Sequence, residues 1–330
     1  MSWPRGSLAR WELFLLLVLV ATLAGGTQVS RYFLTTSNLS IALAGAMPVA
    51  IIALPMTLII ITGEIDISVG SIVGLCSAIM AVCLEQHLPV EAAMLIGIGV
   101  GALAGLVNGA LVVYGGLPSL VVTIGTLALF RGIAQIILKE RGVSSFPEWY
   151  QSIGFGTVGV TPIPWSLLIF LLFFAGFAIF LHATHGGRAL YAIGNNRGAA
   201  RFSGIDVDRC LLRVFVASGT MSSLAAIVLT AYLASARSDT AIGLELPVIT
   251  AVVLGGVNIF GGSGTLIGVF IALLVLAFVQ NALGLAGVTP EEQQIVTGSV
   301  LVATLIVFGS TGAVRKAKEA ASRLRAAWRP

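Results

Sequence analysis

Residues 54–71 read LPMTLIIITGEIDISVGS, from Leu54 to Ser71. An apolar run that begins near residue 40 ends here in a polar, glycine-rich interruption, and a second apolar run begins at Val69. Glu64 and Asp66 therefore stand between two candidate membrane helices. The pattern predicts a pair of membrane helices separated by a break.

The composition extends this interpretation to the whole chain. Of the 330 residues, 57% are hydrophobic and 10% are charged, whereas a soluble globular protein has about 25% charged residues. No ten-residue alternating pattern of the kind found in membrane barrels is present, so the spans are predicted to be helices. The expected fold class is an all-α polytopic membrane protein.

The apolar runs predict about ten transmembrane helices, of which the third and eighth are short and suggest broken or re-entrant segments. Pro48, Pro55 and Pro247 are expected to kink or break their helices. The predicted spans are 12–27, 40–62, 69–84, 91–114, 117–138, 163–181, 211–234, 246–261, 264–285 and 293–312.

The distribution of Lys and Arg predicts that both termini lie in the cytoplasm. With this orientation the basic residues of the N-terminus, of residues 188–213 and of the C-terminal tail share one side, and the other side keeps only Arg31, Lys139, Arg141 and Arg237. Eight spans with two re-entrant hairpins would leave the termini on the same side. The first span could instead be a cleaved signal peptide.

Two segments match at a constant offset of 192 residues. Leu54-Pro55, Gly63 and Gly70-Ser71 correspond to Leu246-Pro247, Gly255 and Gly262-Ser263, and Asp66 corresponds to Asn258. Each segment predicts a helix, a glycine-rich break and another helix. In the orientation above, this would be an internal parallel repeat of the kind that forms binding sites in transporters. Alternatively, the glycines recur by chance in a chain that is rich in them.

Three charged residues near or inside the spans are candidates for a solute path, because intramembrane charges are costly and usually face a cavity or a partner. Glu64 and Asp66 could alternatively cap the helix that starts at Val69. Arg131 could pair with Glu64 or Asp66, hydrogen-bond a polyhydroxyl solute, or extend to the nearer interface.

Uncharged polar residues inside the spans are the other candidates for lining the path. The structural alternative for each is a hydrogen bond between helices. The candidates are Asn108, Thr123, Thr126, Asn258, Gln280 and Asn281.

The most informative polar loop lies between the sixth and seventh spans. Asn195 or Asn196 can cap a short helix from Arg197 to Ser203, and Gly204 can end it. This helix is expected to present Ala199, Ala200 and Phe202 beside arginines, which suits docking into a soluble partner. Alternatively, the basic loop rests on anionic lipid.

Several functions are excluded by what the sequence lacks. Residues 255–264 are rich in glycine, but no lysine follows them as a phosphate-binding loop requires, so we expect no nucleotide or other cofactor in this chain. Cys76, Cys83 and Cys210 form no pairing framework, and no metal site is predicted. The net charge of +4 is divided between one loop and the tail, which favours membrane lipid over nucleic acid as a partner.

Three ordered motifs carry a family resemblance. They are residues 63–71, the loop Ala192-Ile193-Gly194-Asn195-Asn196 with Ala199-Ala200 and Ser203-Gly204-Ile205, and Leu254-Gly255-Gly256 with residues 261–264. Together they resemble the permease subunits of bacterial ABC importers for ribose and related sugars. Residues 235–239 and Trp11-Glu12-Leu13 are most similar to autoinducer-2 permeases, with rhamnose permeases next.

The resemblance implies an inner-membrane pore made of two permeases, the same or similar chains, with a periplasmic solute-binding protein. ATP and Mg²⁺ would be bound by partner ATPase subunits in the cytoplasm. Residues 1–330 would form a single permease domain, with a coupling loop at 182–210 and a basic cytoplasmic tail at 313–330. The coupling residues would be Gly194, Asn195, Asn196, Ala199, Ala200, Phe202 and Gly204.

Two other classes remain as alternatives. An ion-coupled secondary transporter could use the broken helices and Asp66 to bind an ion. An integral membrane enzyme would need a nucleophile, a base and an orienting residue, and the sequence shows no such set.

Overall fold

The computed structural model describes residues 5–139 and 141–306. The described part is helical except for short loops and one two-stranded ribbon, as the fold-class prediction requires. The helices are α1 (Arg5–Val29), α2 (Thr36–Ile61), α3 (Val69–Glu85), α4 (Val90–Val113), α5 (Ser119–Leu138), α6 (Glu148–Phe155), α7 (Trp165–Ala183), α8 (His185–Asn195), α9 (Arg197–Phe202), α10 (Val207–Leu233), α11 (Glu245–Leu254), α12 (Leu266–Leu285) and α13 (residues 290–306).

Each of the ten predicted spans corresponds to a helix in the described part of the chain. Seven helices are long and apolar enough to cross a membrane, whereas α3 and α11 are shorter. The tenth prediction, 293–312, is helical up to residue 306, and its remainder lies outside the described residues, as does the tail at 313–330.

One predicted span, 246–261, is wrong at its end. Helix α11 stops at Leu254, and the chain then forms a loop in which Gly256, Gly261, Gly262 and Gly264 have positive φ angles. Residues other than glycine rarely adopt these angles. The repeated glycines thus end the helix, although the segment remains mostly apolar.

The prolines do not interrupt their helices. Pro48 and Pro55 both lie inside the continuous helix α2. Pro247 lies in the first turn of α11, where the absence of an N–H group is tolerated because no helical acceptor is available. A break at these positions is therefore excluded, and the alternative of a kink stays a prediction.

The centre of the bundle consists of α2, α3, α10 and α11. Every residue from Ala50 to Ile61 of α2 is buried, and α2 packs against α7, α10, α11 and α12. Helices α1 and α7 bury few of their residues and expose large apolar side chains. This arrangement suits a bundle whose outer helices face lipid.

Two sides of the bundle are distinguished by their loops. At one side, β1 (Gly142–Val143) pairs antiparallel with β2 (Ala236–Arg237), and Arg141 forms an ion pair of 3.2 Å with Glu85 at the end of α3. We call this the ribbon side. The opposite side carries α8, α9 and the two glycine breaks, which are residues 62–68 (first break) and 255–265 (second break).

Helices α4 and α10 approach each other through glycines, as small residues permit in membranes. A Cβ on Gly105 would overlap the backbone of Phe215, and a Cβ on Gly219 would overlap Gly101 O. The helices thus touch backbone to backbone, which explains part of the high glycine content.

We predict that Gly105→Ala lowers the stability of the protein by about 1–3 kcal/mol, because the added methyl group forces α4 away from α10. Gly99→Ala is the matched control, since a Cβ at that position of the same helix meets no atom within 4 Å. Thermal unfolding of both purified variants in one detergent measures the difference. Equal midpoints would contradict the packing argument.

Candidate functional site

The two glycine breaks meet at one point of the structure. The Gly262 N–H donates to the carbonyl of Ile61, the last residue of α2, at 2.8 Å. A Cβ on Gly261 would lie only 2.9 Å from Gly63 N. The two halves of the sequence repeat are therefore joined by direct backbone contact at the ends of α2 and α11.

The start of α1 also holds the second break. Trp11 Nε1 donates to Leu254 O at 2.9 Å, and Thr265 Oγ1 donates to Glu12 Oε1 at 2.7 Å. Thr265 in turn caps α12 by accepting from the Gly268 N–H. The second break is thus held by α1 from one side and by the first break from the other.

Helix α8 lies against both breaks. A Cβ on Gly194 would overlap Ile61 O and come within 2.5 Å of Gly262 N, so only glycine permits this approach. Asn195 Nδ2 donates to Tyr191 O at 2.8 Å and to Gly262 O at 3.3 Å. Helix α8 was not predicted, because its three glycines conceal the apolar face formed by Leu190 and Ile193.

Tyr191 provides a further contact between α8 and the second break. Its hydroxyl donates to Gly264 O at 2.7 Å. Burial raises the pKa of this hydroxyl to about 12, so the proton that makes the hydrogen bond is retained throughout the physiological pH range.

Helix α9 has the predicted caps. The Asn196 side chain accepts from the Ala199 N–H at 2.9 Å, and Gly204 follows the helix with a φ of +80°. Ser203 closes the helix as its C-cap. The prediction of a short helix capped by Asn196 and ended at Gly204 is confirmed.

The predicted outer face of α9 needs one correction. Ala200 is only 3% exposed and packs with Ile193, Val207 and Leu211, so it faces the protein and positions α9. Phe202 is 96% exposed, and Ala199 is also exposed. The face available to a partner therefore consists of Ala199, Phe202 and the arginines.

Glu64 is bound to the α8–α9 unit (residues 185–202) and not to a helix N-terminus. Its carboxylate pairs with the Arg197 guanidinium, and the carboxylate is largely buried whereas the arginine is half-exposed. The pair links the first break to α9 by opposite charges. Neither Glu64 nor Asp66 pairs with Arg131 in the part of the chain that the structure describes.

Asp66 is completely buried in a polar cluster between α3, α4 and α10. Its Oδ1 accepts from Ser68 Oγ at 2.6 Å and from Ser68 N at 3.0 Å, and its Oδ2 accepts from Ser218 Oγ at 2.9 Å. Asn108 Nδ2 donates to Ser68 Oγ at 2.8 Å. Asp66 thus fixes the start of α3 by accepting hydrogen bonds from Ser68. This is part of what a helix-capping residue does.

Arg131 binds backbone carbonyl groups. Its guanidinium donates to Thr240 O at 2.8 Å, and weaker contacts of 3.4 Å reach Ser238 O and Ala241 O. These carbonyls belong to the non-helical segment between β2 and α11. The arginine therefore supplies donors to the carbonyls of an irregular segment inside the bundle; Ala241 O also accepts from the Leu244 N–H.

The other predicted path residues lie apart from one another. Thr123 Oγ1 contacts Ile65 O at 3.4 Å, beside the first break. Asn258 bonds within the second break, to Gly261 O and Phe260 N. Asn281 exchanges hydrogen bonds with Asn38 of α2. The structure brings Glu64, Asp66, Asn108 and Thr123 together around the first break, and it places Arg131, Asn258 and Asn281 elsewhere.

Sequence reasoning missed several residues of this site. Ser218 and Tyr191 lie far from their partners in the chain, so no local pattern could reveal them. Phe260 is 83% exposed in the second break, near the first break at Gly63. A large aromatic residue between glycines was a usable signal for an exposed contact residue.

Two interrupted helices joined inside an apolar bundle define the class of the protein, because such paired breaks are typical of membrane transport proteins. The model of one family matches residues 38–305, and this family is the permease component of branched-chain amino acid transport systems. The chain belongs to this permease family and is a multi-pass membrane protein. The predicted resemblance to importer permeases is confirmed at the level of the family.

Individual relatives cover most of the chain. The autoinducer 2 import system permease protein LsrD of Escherichia coli strain K12 is 36% identical over 302 residues, which are 90% of this chain and 91% of the relative. The protein of the same name from Shigella flexneri has the same identity and coverage. No solved structure matches the chain.

We predict that Ser218→Ala lowers stability by about 1–3 kcal/mol, because Asp66 Oδ2 then loses its donor in a fully buried place. Ser77→Ala is the control: Ser77 is also fully buried, but it donates only to Val73 O of its own helix. Unfolding midpoints in detergent would be compared. A loss no larger than that of Ser77→Ala would show that the Asp66 cluster does not hold α3.

Proposed function

We propose that this chain is the permease subunit of an ABC importer in the bacterial inner membrane. It translocates a small sugar or sugar-like solute such as autoinducer-2, rhamnose or ribose, and separate ATPase subunits that bind ATP and Mg²⁺ drive the transport. The family and the two autoinducer 2 import relatives support this proposal. The solute enters from a periplasmic solute-binding protein, and a second permease completes the pore.

The attachment of the α8–α9 unit to both glycine breaks carries the proposal. Gly194, Asn195 and Tyr191 contact the second break, and Gly194 also touches the end of α2. Arg197 binds Glu64 of the first break. A displacement of α9 by a partner is therefore passed directly to the ends of α2 and α11, which is what an external motor requires.

The charge distribution supports a cytoplasmic location for the α8–α9 unit. Arg197, Arg201 and Arg209 are exposed on this side, and the positive-inside rule assigns such loops to the cytoplasm. The N-terminal end of α1 lies on the same side through Trp11 and Glu12. The ribbon side then faces the periplasm and the solute-binding protein.

The surroundings of Asp66 weigh against the ion-coupled alternative. Both carboxyl oxygens already accept hydrogen bonds from Ser68 and Ser218, and the side chain is fully buried. An ion would have to displace these donors. Asp66 is better explained as a residue that fixes the first break than as an ion ligand.

We expect solute uptake to depend on ATP and not on ion gradients. Cells expressing the complete transporter would be tested with radiolabelled rhamnose, ribose and autoinducer-2, with cells lacking this chain as the control. ATP depletion should reduce uptake of the transported solute at least tenfold, whereas collapse of the proton and sodium gradients at maintained ATP should not. The reverse result would establish the secondary transporter.

We predict that Phe202→Asp abolishes the stimulation of the ATPase by the loaded binding protein and reduces uptake at least tenfold, because it places a charge in an apolar docking contact. Phe202→Leu is the matched control, since it keeps an apolar side chain at the same exposed position. Both variants should reach the membrane in equal amounts. Unchanged stimulation in Phe202→Asp would refute docking at α9.

A further inference from the structure

The segment between β2 and α11 runs along α3 from the ribbon side toward the membrane interior. Gly74 lies against Thr240 O and the Arg131 guanidinium, and Gly70 lies against Ala241 O and Glu245 Oε2. Glu85, at the ribbon side, is fifteen residues from Gly70, which corresponds to about 22 Å of helix. Residues 240–245 therefore lie at membrane depth, although five of them are not part of a helix, whereas the Ser238 hydroxyl still donates to Lys139 O at the ribbon-side end of α5.

The backbone of this segment is irregular. Ala241 has a φ of +64° and Gly243 one of +79°, and the first of these angles is strained for a residue with a Cβ. Irregular backbone at membrane depth is tolerated only where it is buried in protein or lines a water-filled cavity. Thr240 is buried, but Ile242 is 60% exposed, so this chain leaves part of the segment uncovered.

Two opposite charges accompany the segment. Arg131 and Glu245 are both only partly buried, and their charged groups lie against successive turns of α3, at Gly74 and Gly70, without forming an ion pair in the described structure. Intramembrane charges of this kind face water or a solute path. The amide of Gln294, on α13, lies beside Gly243 and adds a neutral polar group.

We propose that residues 240–245, with Arg131 and Gln294, form the mid-membrane wall of the solute path. The inference rests on the proposed function and adds to it a location and a ligand class. Arg131 and Glu245 cancel in charge, and the neighbouring Asp239 is balanced by its ion pair with Arg237, so the wall favours neither cations nor anions. Their donors and acceptors, with the Gln294 amide, suit the hydroxyl groups of a small neutral polyhydroxyl solute.

Thiol accessibility tests the wall directly. Cys76, Cys83 and Cys210 are first replaced by Ala, and Ile242→Cys is then introduced into the complete transporter in membrane vesicles. The probe is a charged methanethiosulfonate, which reacts with thiolates in water and not with thiols in lipid. Leu172→Cys, which is 72% exposed in the middle of α7, is the lipid-facing control, and Val160→Cys, in an exposed loop, is the water-facing control.

We expect Ile242→Cys to react at least tenfold faster than Leu172→Cys, and we expect its modification to block uptake. Val160→Cys serves only to set the labelling rate of a thiol in water, because its loop lies on the ribbon side that faces the solute-binding protein. Labelling of Ile242→Cys no faster than that of Leu172→Cys would overturn the proposal, as would full uptake after complete labelling.

A second variant separates the charge of Glu245 from its shape. Glu245→Gln keeps the size and hydrogen-bonding capacity of the side chain but leaves Arg131 unbalanced, so uptake should fall at least fivefold with normal protein levels in the membrane. Unchanged uptake would contradict the role of the charge pair. The labelling rates do not depend on the energy source, so this test is independent of the ATP test. If Ile242→Cys is labelled and uptake is driven by ion gradients, only the assignment to the ABC class is refuted.

Discussion

The structure depends on one constraint: two interrupted helices must pair the backbone groups that their breaks release inside an apolar bundle. An unpaired N–H or C=O group in hydrocarbon costs several kcal/mol, about as much as a protein can lose without unfolding. The hydrogen bond from Gly262 N to Ile61 O pairs one such group of the second break with the last carbonyl of α2, next to the first break. It demands backbone contact without side chains between, which is why Gly63, Gly194 and Gly261 surround it.

The same constraint explains the positions of the charged residues. Arg131 binds carbonyls of the irregular segment before α11, Asp66 binds the start of α3, and Glu64 binds α9 through Arg197. In each case a charged side chain meets backbone or a partner at the point where a helix is interrupted. The acidic residues near the breaks thus serve the interruptions themselves, and this structural use is independent of any contact with solute.

The amino-acid sequence predicts the helices well because apolar runs are a local property. It also identified the glycine breaks and the Asn196 cap of α9, since both depend on neighbouring residues. It failed where the partner lies far along the chain: Ser218 is 152 residues from Asp66, and Thr240 is 109 residues from Arg131. The direction of Ala200 was wrong because a six-residue helix has too few turns to show which face is apolar.

The arrangement of contacts also explains how a surface helix can act on the membrane interior. Helix α9 is held to Glu64 by the ion pair with Arg197. Helix α8 is held to the second break by Tyr191, Asn195 and the close approach of Gly194. These backbones are in direct contact, so no flexible side chain lies between them to absorb a shift. A movement of the α8–α9 unit therefore changes the position of α2 relative to α11. Helix α11 continues at its other end into the irregular residues 238–244, in which Ala241 and Gly243 have positive φ angles. A force applied at α9 is therefore transmitted through α8 and α11 to this irregular segment. The segment borders Arg131 and Glu245, the charges that face the proposed solute path.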